Sequence, residues 1–389
     1  WATAASNIQD AVNVAYTNST VWVGAGRYTL PANPVVYMGT NVVYIAKPLV
    51  LRSSNGVPET TIIDGQGASR GIVMSCSLGT TNYVVVDGFT VSNCAATNTG
   101  GGIYLVPGTW TCLVHNCVIT DNSASNTAGG IGLPYTYSTT FRYVVSNCLI
   151  RGNYAASGGG AYSDLRIVAT GKFTHCIFEN NTAVNAGGMY SSGAMEYESC
   201  IFRGNQVSQY GGGLMSVGGN FTARNCLFYM NVAGLTELFR RGGGVYVNTG
   251  NHALYNCTIV SNRIYNSGYG SGVQINGGSL LICNSIVYSN ANNDNVYGAA
   301  FFTNSCTYPT NAYVLAGTGN ITSPPAFVNF AAQDFHLSQS SPCINAGMNL
   351  PWMNGAKDLD NRNRIDRYFG TADMGCYEYL HQGMTFKVR

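Results

Sequence analysis

The 389-residue sequence predicts an all-β fold in which a short unit is stacked repeatedly into a parallel β-solenoid. Three observations carry that prediction. The first is an internal repeat, marked by asparagine at Asn93, Asn122, Asn153, Asn181, Asn205, Asn231, Asn262 and Asn290, with spacings of 29, 31, 28, 24, 26, 31 and 28 residues. Five residues before each stand Gly88, Cys117, Cys148, Cys176, Cys200, Cys226, Cys257 and Ser285, and glycine clusters ending at Gly102, Gly130, Gly160, Gly188, Gly213, Gly244 and Gly272 follow the first seven. The second is the pattern inside each unit: β-favouring runs such as Tyr83 to Val86, separated by Asn and Gly, with no helical period. Units of this length cannot bury an apolar face alone, so they must stack on copies of themselves. The third is composition, with 48 glycines, 26 tyrosines and 9% charged residues, against roughly 25% in ordinary soluble domains.

Taken in chain order, residues 1–30 read as an N-terminal cap helix and first strand, with Ser6 or Asn7 as N-cap and Ile8, Ala11, Val12 and Ala15 at helical spacing. Such a helix would cover the open end of the first coil. Residues 31–305 read as the coils. Residues 306–389, where the repeat fades, read as an irregular C-terminal cap.

Stacked coils turn each repeated position into a column, with neighbours about 4.8 Å apart. The residues three before and two after the cysteines are apolar and are expected inside. The Cys117–Cys257 column is expected to be buried, unpaired thiol acting as a small hydrophobe, because one thiol per coil makes a row and zinc needs four convergent ligands. Outside that column, Cys343 with Cys376, and Cys283 with Cys306, are the cysteine pairs open to disulfide formation. The asparagine series is expected to form a turn ladder, and the glycine clusters a close-packed corner. Strand alternation would turn the column after the cysteines outward. That column is Phe89, Val118, Leu149, Ile177, Ile201, Leu227, Thr258 and Ile286, an apolar stripe suited to an interaction surface.

The segments CIFENN, CIFRGN and CLFYMN, with their glycine clusters, resemble the repeats of polymorphic outer-membrane proteins, which are secreted adhesin passengers. ASNIQDAV, VWVGAGRY and TIIDGQG resemble the start of pectin-lyase-like β-helices, and DFHLSQSSPCINAG with DLDNRNRIDRYFGTADMGCYEY resembles the tail of secreted β-helix proteins with variable C-terminal anchors. The resemblance implies a single-stranded right-handed parallel β-helix and export to the extracellular space or cell surface. It does not supply an activity, since this fold hosts adhesins, lyases and hydrolases alike.

Function is therefore argued from sites. The net charge of +2 and the lack of any basic stripe argue against nucleic acid, and no apolar run is long enough for a membrane-spanning helix. Catalysis on polysaccharide would need a carboxylate pair or a Lys/Arg base. The best such cluster is Asp164, Arg166, Lys172 and His175, near Glu196 and Glu198 on the next rung. Alternating charges at Arg151, Glu179 and Arg203, at Lys172 and Glu196, and at Glu198 and Arg224 read instead as register-setting ladders. Asp358, Asp360 and Asp366 are spaced partly like a calcium loop, but Asn363 stands where such a loop needs glycine. An insertion carrying Leu238, Phe239, Arg240 and Arg241 is a contact element. No cofactor is implied. The sequence as a whole points to a structural or adhesive surface protein, binding itself as a homopolymer or binding surface glycans, with a polysaccharide lyase or glycoside hydrolase as the alternative.

Overall fold

In the computed structural model the chain winds into a parallel β-solenoid; residues 4–75, 83–108, 111–136, 141–165, 170–234, 241–265, 269–308, 314–366 and 369–380 are described. One coil shows the plan. Thr170–Thr174 lies in a pre-cysteine sheet and Ile177–Glu179 in a post-cysteine sheet; Thr182–Asn185 joins a short sheet and Met189–Ser192 a post-glycine sheet. Among the described residues these sheets hold 12, 11, 7 and 10 strands, so regular winding starts well before the first recognisable repeat. Ser19–Val23 already pairs in parallel with Leu49–Ser53.

The corners follow from local chemistry. Asn116, Asn147, His175, Ser199, Asn225, Asn256 and Asn284 precede the cysteine column and all take φ near +50°, a conformation Asn tolerates better than most residues. At the glycine corner, a Cβ on Gly188 would lie 2.4 Å from the Gly213 carbonyl oxygen, so the coils close there only without side chains.

The core is built in columns, as expected. Cys117, Cys148, Cys176, Cys200, Cys226 and Cys257 are buried free thiols, each donating to carbonyls of its own and the preceding coil, as Cys176 Sγ does to Thr174 (3.3 Å) and Val145 (3.4 Å). Phe178, Phe202 and Phe228 stack at 4.6 and 4.7 Å with rings within 3° of parallel. The asparagines form a continuous buried ladder. Asn205 Oδ1 accepts from the Asn181 backbone N–H (3.1 Å) and side-chain amide (2.9 Å), while its Nδ2 donates to Phe178 O and Asn231 Oδ1, both at 2.9 Å.

The first rung departs from the expected register by one residue. Thr90 pairs with Val118, which places Phe89 in the cysteine column, fully buried, and not on the outward stripe. Asn93 correspondingly leaves the ladder: it takes φ +50° and donates to Asp64 Oδ1 (3.2 Å), and the backbone N–H of Cys94 donates to Asn122 Oδ1 instead. An asparagine one residue before the ladder position hides this shift when the sequence is anchored on asparagine alone.

At the N-terminal end a helix spans Ile8–Val14, with Asn7 as N-cap accepting from the Asp10 N–H at 2.8 Å. It seats Ile8 and Val12 on the first coil, and Gln9 is tied to both backbone groups of Tyr44.

The C-terminal region differs most from expectation. Instead of closing the end, residues 327–380 lie along the outer face of the post-cysteine sheet. The main core cluster contains none of them. They join two satellite clusters with outward residues of that sheet: Phe335 and Cys376 with Leu227 and Val260, and Leu337, Cys343 and Met374 with Ile286 and Cys306. The turn asparagines grip this flank. Asn225 donates to Lys357 O (2.6 Å), Asn256 to Asp373 O (3.0 Å), and Asn284 exchanges two bonds with Met348 (2.7 and 2.8 Å). The expected apolar stripe is thus covered over Leu227, Thr258 and Ile286, while Val118, Leu149 and Ile177 remain half-buried and Ile201 packs at the edge of the flank.

Candidate binding face and titratable clusters

The polar cluster expected to carry catalysis is not assembled. Lys172, Glu196 and Glu198 share the outward face of the pre-cysteine sheet, where Lys172 Nζ sits 2.7 Å from Glu198 and 3.7 Å from Glu196. Asp164 stands on the post-glycine sheet and is 6% exposed, His175 is an exposed turn residue, and Arg166 lies outside the described residues. The charge columns hold their register, but ion pairs run selectively: Arg203 binds Glu179 at 2.8 Å, whereas Glu198 turns to Lys172 and Arg224 lies over the Tyr255 and Trp352 rings.

The residues spaced partly like a calcium loop have other partners. Asp358 accepts from the backbone N–H groups of Asp360, Arg362 and Glu378; Asp360 pairs with His336; Asp366 accepts from the Phe369 N–H. No metal-holding group of His, Cys, Asp and Glu occurs among the described residues. Cys283 and Cys306 stand on different sheets and Cys343 and Cys376 in different clusters, so neither expected pair is brought together. Of the insertion, Leu238, Phe239 and Arg240 lie outside the described residues, while Arg241 bridges Tyr210 and Tyr269 in the ladder and donates to Asn276 at 2.5 Å.

Two features were not read from the sequence. One is a titratable cluster in a cavity of about 340 Å³ on the C-terminal flank, lined by Asp334, His336, Asp360, Arg362, Glu378 and Tyr379. His336 Nδ1 binds Asp334 (2.5 Å), Nε2 binds Asp360 (2.8 Å), and the ring stacks on Tyr377 at 4.0 Å. Burial opposes its charge, but the two carboxylates outweigh that and hold its pKa above the usual value. Behind it the fully buried Arg364 binds Glu378 at 2.9 Å; burial nevertheless pushes the Glu378 carboxyl up to about 8, against the pull of Arg364. With both imidazole nitrogens occupied, this cluster fastens the Phe327–Asn329 and Asp334–Leu337 hairpin to the 358–366 loop and is not arranged to relay a proton.

The other is a tyrosine band on the outer face of the post-glycine sheet. Tyr104, Tyr162, Tyr190 and Tyr246 occupy one column two residues after a glycine corner, and Tyr297 continues it. Tyr162 stacks on Tyr190 (4.4 Å, 12°), Tyr210 on Tyr246 (5.3 Å) and Tyr269 on Tyr297 (4.4 Å), while Gly132, Met215 and Gln274 interrupt the column. Burial raises the phenol pKa of Tyr104 and of Tyr246, against the pull of Arg70 beside the first and Arg241 beside the second. Beside it, Tyr190, Ser192, Gly193, Val217, Gly218 and Gly219 line a groove of about 420 Å³. Gly193 and Gly219, at φ +100° and +72°, keep its floor bare, since a Cβ on Gly219 would meet Gly193 Cα at 2.3 Å. The signal was present in the sequence: GGIY, GGAY, GGMY and GGVY recur at the corner. A larger apolar groove, about 880 Å³, between the cap helix and the first strand is lined by residues such as Val14, Tyr16 and Trp22 and holds no Lys, Arg, His, Asp or Glu.

The winding is matched by a crystal structure of the pectate lyase Pel9A, with a TM-score of 0.54 over 95% of this chain and 90% of that one, at 14% identity. The fold is a right-handed parallel β-helix. No family model matches the sequence, and no curated protein matches it. At this identity the likeness establishes architecture alone, and the residues above have to carry any argument about activity.

Proposed function

We propose that this β-helix is a non-catalytic adhesive protein of the extracellular space or cell surface that binds polysaccharide along its tyrosine band. The observation that carries this reading is three pairs of stacked tyrosines along one face, Tyr162 on Tyr190, Tyr210 on Tyr246 and Tyr269 on Tyr297, with Tyr190 lining a glycine-floored groove. Tyrosine with Ser, Asn and Gly is the chemistry of adaptable binding surfaces, because the ring adds contact area at low conformational cost while small polar groups supply hydrogen bonds. A polymer presenting repeated hydroxyls and C–H faces fits such a row. The low charge favours a neutral glycan over a polyanion.

Affinity electrophoresis against a panel of neutral polysaccharides and polygalacturonate tests it. The wild-type chain should be retarded by at least one neutral glycan, and Tyr162→Ala with Tyr190→Ala should weaken that retardation roughly tenfold, the loss of one to two kcal/mol of aromatic contact. No retardation by any glycan, or none lost in the double variant, rejects the band. The second reading, a polysaccharide lyase, is favoured by the likeness to a pectate lyase; release of unsaturated uronides from polygalacturonate in the same samples would establish it.

A further inference from the structure

We propose that Cys306 and Cys343 form a disulfide that clasps the C-terminal flank to the last coils. Cys306 belongs to Cys306–Thr307, the final strand of the post-cysteine sheet, and Cys343 to the flank crossing that sheet. Both are 0% exposed and meet in one small cluster with Ile286, Leu337 and Met374. The facing Cys343 thiol, with burial added, raises the Cys306 pKa, as two mutually desolvated thiols should.

This pair differs from the cysteine ladder, although Cys306 Sγ also donates to a carbonyl, that of Ser323 (3.3 Å). In the ladder each thiol donates to carbonyls in the same sense along the stack, so joining neighbours would break the column bonds. Cys306 and Cys343 instead approach from separate elements. Their bond would close the stretch 306–343 and tie down the flank that covers Leu227, Val260 and Ile286.

The chemistry is thiol–disulfide exchange with a low-molecular-weight disulfide such as glutathione disulfide. One cysteine thiolate attacks that disulfide and expels one glutathione thiolate; the second cysteine thiolate attacks the resulting mixed disulfide and expels the other. Two protein thiols are oxidised to one S–S bond, and the oxidant leaves as two thiols carrying the two electrons and two protons.

The full chain is refolded from denaturant with glutathione disulfide, so that both thiols are accessible, then alkylated and digested without reductant. A single linked peptide pair containing Cys306 and Cys343, with the intact mass lower by two hydrogens, is expected. Cys343→Ser should abolish it and release the flank to protease roughly tenfold faster than wild type under oxidising conditions but not in reductant, while Cys376→Ser should do neither. Alkylation of both Cys306 and Cys343 after oxidative refolding, or linkage of ladder neighbours in their place, overturns the assignment. The wild-type map decides even if the serine variant does not fold.

Discussion

Asn205 concentrates the logic of the stack in one side chain. Its amide serves four groups on the two neighbouring coils, all of them out of water. Asn205→Ala strands the Asn181 N–H, the Asn181 amide, the Phe178 carbonyl and the Asn231 oxygen, and each buried orphan costs about 1–3 kcal/mol. We expect a loss of about 3 kcal/mol or more in denaturant unfolding; a loss under 1 kcal/mol would mean that water enters the ladder. The same chemistry was half-legible in the sequence. Seven of the eight anchor asparagines are ladder residues, but Asn93 is not, because an asparagine with φ +50° at the corner and one inside it look alike as letters.

At the scale of elements, the C-terminal flank is held by groups whose charge depends on pH. Glu378, with its folded pKa raised to about 8 from 4.5, stays protonated in the folded state where the unfolded chain has already released its proton. Its contribution is therefore complete below pH 4.5 and lost as pH rises to about 8. His336 has the same sign, since its raised pKa makes the clamp between Asp334 and Asp360 strongest below its ordinary value of 6.5 and lost above the folded one. Asp334, lowered below 3.8, acts oppositely but only in acid. Hydrogen exchange across residues 327–380 should accordingly quicken between pH 4.5 and about 8, and Glu378→Gln should remove much of that dependence, on the order of a few kcal/mol. An unchanged slope in the variant would show that the carboxyl ionises in place without consequence.

For the whole molecule, the question is what the outward apolar column means. Read from the sequence it suggested association between copies, because eight aligned apolar or near-apolar residues faced away from the core. The fold answers part of that with the chain's own flank, which lies on Leu227, Val260 and Ile286. Deleting residues 324–389 should uncover them, with about 1.5–3 kcal/mol of burial lost for each large side chain. Such a deletion should associate in size-exclusion chromatography while the full chain does not; a monomeric, equally stable deletion would show that the flank covers nothing of consequence. Periodicity by itself determined the solenoid, its inward Cys and Phe columns, its Asn and Gly corners and the pairing of Arg203 with Glu179, because each depends on contacts between equivalent positions one coil apart. The tertiary structure alone decided where the non-repeating residues go. The position of His336 between two aspartates, of Cys343 against Cys306, and of the flank along the side of the stack rests on contacts between parts of the chain that share no period, and those leave no spacing in the sequence to read.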